Sequence, residues 1–179
     1  MALNDDLNDF EDLWEVAARW DGEFEGFGIS LGAGYSSASN EFVAAAPAAG
    51  AFADDLDTWN VGGNVTFGAF SFGAAYTESD TEIGDGAPAG NLDAEENTLA
   101  VGLGWDNGPY HLGVSYLDRS YELQGTPDVD VERYTFGGGM TYGAGATFRG
   151  AVAFGDADDN NAGTANDPDF VQVTVGTDV

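Results

Sequence analysis

Residues 59–77 read WNVGGNVTFGAFSFGAAYT. Trp59, Val61, Gly63, Val65 and Phe67 share one parity, and Asn60, Gly62, Asn64 and Thr66 share the other. Gly68-Ala69 makes a tight turn, after which Phe70, Phe72, Ala74 and Tyr76 resume the apolar parity against Ser71, Gly73, Ala75 and Thr77. Alternation with period 2 on both sides of a glycine turn is an antiparallel hairpin with two unlike faces. One face carries Trp, Val, Phe and Tyr. The other is small and polar, and a packed protein core, which needs Leu, Ile, Val and Phe, cannot be built from it.

The same pattern recurs in both directions. Trp14, Val16, Ala18 and Trp20 precede a short turn near Phe24–Gly26, and Phe27, Ile29, Leu31, Ala33 and Tyr35 follow it. Leu99, Val101, Leu103 and Trp105 lead into Asp106-Asn107-Gly108-Pro109, whose Asn-Gly pair is a strong hairpin signal, and Tyr110, Leu112, Val114 and Tyr116 return. Tyr134, Phe136, Gly138, Met140 and Tyr142 turn at Gly143–Gly145 into Ala146, Phe148, Gly150, Val152 and Phe154. A last strand carries Val171, Val173 and Val175. Between these hairpins lie polar segments rich in Asp, Gly and Pro, at about Ala38–Leu56, Glu78–Glu95, Glu122–Asp128 and Gly155–Pro168. About nine strands, with short turns at one end and long acidic loops at the other, predict an all-β, antiparallel up-and-down transmembrane β-barrel.

Lengths and girdles agree. Phe24/Phe27, Phe67/Phe70, Trp105/Tyr110 and Tyr142/Phe148 flank the short turns, and Trp14, Tyr35, Trp59, Tyr76 and Tyr116 stand at the far ends. Eight residues from Phe27 to Tyr35 extend roughly 26 Å along a strand, or roughly 20 Å at a tilt of about 40°, close to the ~25 Å apolar band of such barrels. The chain has no run of ~18 apolar residues and so no transmembrane helix.

Composition removes several other functions. A formal charge of −28, from 4 Lys+Arg against 32 Asp+Glu, excludes nucleic acid as a partner. Abundant aromatics and 27 glycines argue against a disordered acidic chain. No cysteine is present, so there is neither a disulfide nor a thiolate site. His111 is the single histidine and makes no His-based catalytic pair or zinc site. With no nucleophile elbow and no phosphate loop, an enzyme is not expected. Gly155-Asp156-Ala157-Asp158-Asp159-Asn160 hints at a calcium loop. It lacks the glycine and the distal glutamate such loops require, so no cofactor is expected and calcium at the acidic loops remains the minor reading.

The four arginines are the candidate functional residues. Arg19, Arg119, Arg133 and Arg149 all fall on the non-lipid parity, as they must if a lipid-facing Arg costs ~2–4 kcal/mol at the midplane. Glu15, Asp21 and Glu23 share that parity on the first strand. Basic groups with opposed carboxylates would line a pore and select solutes by charge.

These stretches resemble a known family. Residues 13–35, LWEVAARWDGEFEGFGISLGAGY, together with WNVGGNVTFGAFSFGAAYTESD, RYTFGGGMTYGAGATFRGAVAFGDADD and DFVQVTVG, look like strands of Gram-negative porins of the alphaproteobacterial type. The resemblance implies a sixteen-stranded barrel, a homotrimer in the bacterial outer membrane, lipid as its surroundings, and passive diffusion of small hydrophilic solutes and ions. Nine strands would then be the C-terminal half, so residues 1–179 read as one porin-like β-barrel domain, incomplete on its N-terminal side. The inward constriction loop of the family would lie in the other half, and its usual terminal aromatic is replaced by Val179. Two alternatives stay open: a small closed, non-conducting barrel with a structural or adhesive role, and a soluble acidic β-sandwich.

Overall fold

A computed structural model describes residues 10–40, 55–84, 91–143, 145–159 and 168–178. They form one antiparallel sheet of nine strands in sequence order. The strands are β1 (Phe10–Phe24), β2 (Phe27–Asn40), β3 (Leu56–Phe67), β4 (Phe70–Gly84), β5 (Asn91–Asn107), β6 (Tyr110–Leu123), β7 (Val129–Tyr142), β8 (Ala146–Asp158) and β9 (Phe170–Asp178). The expected up-and-down all-β architecture is therefore what the chain adopts. Each short turn holds a glycine where the chain must reverse, with Gly68 at φ +57° and Gly108 at φ +60° in the left-handed region.

The strands run further than the apolar pattern suggested. β4 continues to Gly84 and β5 starts at Asn91, so most of the polar segment 78–95 is hairpin rather than loop. β8 likewise extends to Asp158, into the segment expected as loop from Gly155, whereas the end of β6 at Leu123 and the start of β7 at Val129 agree with the expected loop at about 122–128. Polar side chains hid these extensions because both faces are wet beyond the membrane, and hydrophobic alternation no longer marks the strand there.

Among the described residues no second sheet covers this one. Among the described residues the buried hydrophobic side chains are Ala38, Ala94 and Ala153 alone, and no large side chain is fully buried. A sandwich core is thus missing, and the soluble β-sandwich is not what the chain forms. The large residues stand exposed on one face, with Leu103 at 57%, Phe136 at 54% and Val175 at 79%. The small face is the hollow one: Gly62, Asn64, Ser71, Gly73, Gly102, Gly104, Ser115 and Thr135 help line a depression of about 780 Å³. Apolar side chains splay outward on the convex side, and glycine, serine and threonine fill the concave side.

The register fixes the slant of the strands. The hydrogen-bonded row through Tyr35 passes Trp59 and Glu78, and Tyr76 lies two residues nearer the turns on β4. The row through Tyr76 passes Leu99 and Asp118, and Tyr116 again lies two residues nearer the turns on β6. Three tyrosines held at one interface level therefore require the sheet to shift about one residue per strand. With about 3.3 Å per residue and about 4.8 Å between strands, that is a tilt of about 35°, within the range of outer-membrane barrels.

The sheet is open. Among the described residues β1 pairs only with β2, and β9 only with β8. Both edge strands run from the loop end to the turn end, so a direct β9–β1 seam would be parallel. A barrel with antiparallel neighbours throughout needs an odd number of further strands between them. A small barrel closed by these nine strands alone is not observed.

Candidate functional site: the concave polar wall

The concave face carries every arginine of the chain. Arg19 on β1 grips Asp21 in a fork: Nε donates to Oδ2 at 2.9 Å and Nη2 to Oδ1 at 2.8 Å. Ser30 Oγ, directly across the row on β2, donates to the same carboxylate at 2.6 Å. Both residues have i and i+2 spacing on one strand, which puts them on one face. Arg119 on β6 reaches Glu96 on β5, with Nη2 at 2.5 Å from Oε2. Arg149 on β8 pairs with Asp178 on β9. Arg133 on β7 spans to β9, where its Nη2 donates to Gln172 Oε1 at 3.0 Å.

The sequence placed all four arginines on one parity, and the structure agrees. It does not gather them into a single cluster. Along the slanted sheet, Arg19 and Arg149 come roughly level near the middle of the apolar band, seven strands apart. Arg119 and Arg133 sit on adjacent strands at the loop end. Of the expected carboxylates only Asp21 holds an arginine. Glu15 and Glu23 lie on the same face and pair with none of the four. The partners Glu96, Asp178 and Gln172 follow from register between neighbouring strands, which parity within one strand cannot supply. At the turn end of the same face His111 Nδ1 lies 2.5 Å from Asp106 Oδ1, so the lone histidine has a carboxylate beside it.

Between these charged points the wall is almost without bulk. The row from Arg19 runs through Gly32, Gly62, Ala75, Ala100 and Leu117 to Arg133. Such a surface leaves the backbone accessible and the space in front of it free.

The convex face divides into an apolar band and an acidic rim. Trp14 packs on Tyr35, Trp59 on Tyr76 and Tyr116 on Tyr134, with ring centroids 5.1, 5.1 and 4.8 Å apart. The tyrosine hydroxyls point away from the band. Tyr35 donates to Asp57 at 2.7 Å, Tyr76 shares its proton between Glu78 (2.9 Å) and Asn97 (2.6 Å), and Tyr116 between Asp118 (3.0 Å) and Glu132 (3.1 Å). Amphipathic rings with one apolar and one wet end suit a membrane interface. Above them the acids that were expected in loops stand on extended strands. Glu78, Asp80 and Glu95 bring carboxylate oxygens within 4.8 Å of one another. Partial burial, then the charges of Glu78, Glu95 and Asp57, push the Asp80 carboxyl above its usual range. The loop motif at 155–160 is described only as far as Asp159, with Asp156 and Asp158 on β8 and Asn160 outside the described residues.

The profile of the Gram-negative porin family matches residues 2–160. No curated protein matches the chain. Among solved structures, the outer-membrane expressed OmpT of Vibrio cholerae is similar over 92% of this chain and 55% of that one, with a TM-score of 0.60 at 15% identity. An in-vitro folded OmpT of Vibrio cholerae, in its trimer form, is similar over 90% and 54%, with a TM-score of 0.60 at 14% identity. At such identity the likeness is one of fold, and the chain spans about half the length of these structures. Taken with the open tilted sheet, its two unlike faces and its girdles, the family match means that the chain belongs to the Gram-negative porins, proteins of the bacterial outer membrane.

Proposed function

We propose that the concave face is the wall of a water-filled channel through which small hydrophilic solutes and ions diffuse passively. The observation that carries this reading is the placement of all four arginines, with their polar partners, on the glycine-rich face opposite the apolar band. Charged groups standing over a surface too small to pack against anything need water, and the outer-membrane setting leaves the concave side as the place for it. No bond is made or broken in this function, and the wall needs no cofactor.

The channel is completed by further strands between β9 and β1, in a barrel of sixteen by family resemblance, and three such barrels associate. Support for the trimer is the trimer form of one of the similar structures. Three arginine–carboxylate pairs set across the wall give a transverse field that favours dipolar and ionic solutes over apolar ones.

The full-length protein reconstituted in planar bilayers is expected to give stepwise conductance increments with a linear current–voltage relation. A barrel with a plugged interior would give none, and that result would remove the channel reading.

A further inference from the structure

Three of the four wall arginines are neutralised where they stand, by Asp21, Glu96 and Asp178. The fourth is not. Arg133 donates only to the neutral amide oxygen of Gln172, at 3.0 Å. Among the described residues it is the one arginine whose charge meets no carboxylate. Glu96, a carboxylate on the same face at that end of the wall, is held by Arg119.

The donors of Arg133 are unequally used. One Nη2–H goes to Gln172, and Nε is buried without a partner. A guanidinium carries five N–H donors, so the two on Nη1 and the second on Nη2 remain. These lie at the end of the fork, the edge that takes the two oxygens of a carboxylate or phosphate side by side. Gln172 holds that edge in place, because it occupies one donor without cancelling the charge. Glycine at 155, the direct register partner of Arg133, leaves room for the ring of Phe170, which folds over it from β9. The residue stands at the loop end of the wall, where a solute coming from outside first meets it.

We infer that Arg133 and Gln172 form an oxyanion-recognition point just inside the outer mouth, which engages a carboxylate or phosphate group of a passing solute. This rests on the channel reading. The wall is then not a uniform basic filter. It has one unneutralised cation, at one height, and three locally balanced pairs.

The test uses inorganic phosphate as the probe against chloride current through the full-length protein in planar bilayers. Wild type is expected to show concentration-dependent reduction of chloride current by phosphate. Arg133→Gln should weaken that block by roughly tenfold, the worth of one charge-assisted hydrogen bond. Gln172→Glu should weaken it as much while leaving the arginine in place, because it gives Arg133 the carboxylate partner that the other three have. Both variants are first matched to wild type in β-sheet circular dichroism and shown to conduct, and block is read as the fraction of each variant's own chloride current. Phosphate block that survives either substitution in a conducting channel overturns the inference. A wild-type protein that conducts nothing overturns the channel reading instead.

Discussion

Arginine introduced at Leu103 destabilises the membrane-inserted protein by about 2–4 kcal/mol, whereas arginine introduced at Asn64 changes stability by about 0.5 kcal/mol or less. Leu103 stands 57% exposed on the convex face, and the tilt places it near the middle of the apolar band, between Phe72 and Val114 in its row. A guanidinium there meets hydrocarbon and must either drag water in or bend the chain to the interface. Asn64 belongs to the opposite parity, flanked in its row by Ser30 and Gly73, and is already exposed. An added guanidinium there meets water. Both positions lie within strands and at comparable depth, so helix or turn effects do not enter the comparison. Denaturant titration in lipid vesicles, followed by the fluorescence of the four tryptophans, reads the difference directly. Equal costs at the two sites would mean that the faces are not distinguished by lipid and water.

Removal of the Tyr116 side chain comes next in size. Tyr116→Ala is expected to cost about 2–3 kcal/mol, and Tyr116→Phe about 1 kcal/mol. The alanine variant loses the ring packed on Tyr134 at 4.8 Å together with the hydroxyl donated to Asp118 and Glu132. The phenylalanine variant keeps the ring and loses only the hydroxyl. The smaller figure reflects partial exposure of the site, where water competes for the two carboxylates. If Tyr116→Phe proved as costly as Tyr116→Ala, the hydroxyl and not the ring pair would hold the interface, contrary to the packing described. Asp118 and Glu132 face one another across β6–β7 in the row above Tyr116, so the phenylalanine variant also leaves two adjacent carboxylates without their shared donor.

Much of this was legible in the residues. Period-2 alternation located all nine strands, because one face of each must be apolar over the membrane and the other must not. The parity of the arginines followed from the cost of charge in lipid, and the register confirms it for each of them. Three things were not legible. Strand ends beyond the girdles were lost in polar sequence, as in Ser79–Gly84 and Asn91–Asn97, since both faces there meet water. The carboxylates of those extensions were read as loop charge, yet Asp80 and Glu95 lie in one strand-to-strand row with Asp57 of β3 on the convex side. Pairings across strands were invisible as well. Nothing in residues 133–178 taken singly says that Arg133 meets Gln172 while Arg149 meets Asp178; that depends on β7, β8 and β9 lying side by side in one register. The distinction between a balanced and an unbalanced arginine is therefore a property of the sheet and not of any strand.

Residues 1–179 contain no cysteine, which allows the central claim, lipid on one face and water on the other, to be tested residue by residue, with any cysteine elsewhere in the protein first replaced by serine. Single cysteines placed in turn at positions 99 to 104 on β5 of the full-length protein in vesicles would be titrated with a membrane-impermeant, water-soluble thiol reagent. Positions 100, 102 and 104 should react quickly and positions 99, 101 and 103 should be protected, in strict alternation, with the protected set quenched by a lipid-borne quencher when labelled. Uniform reactivity along the strand, or protection of the even positions, would contradict the assignment of the two faces.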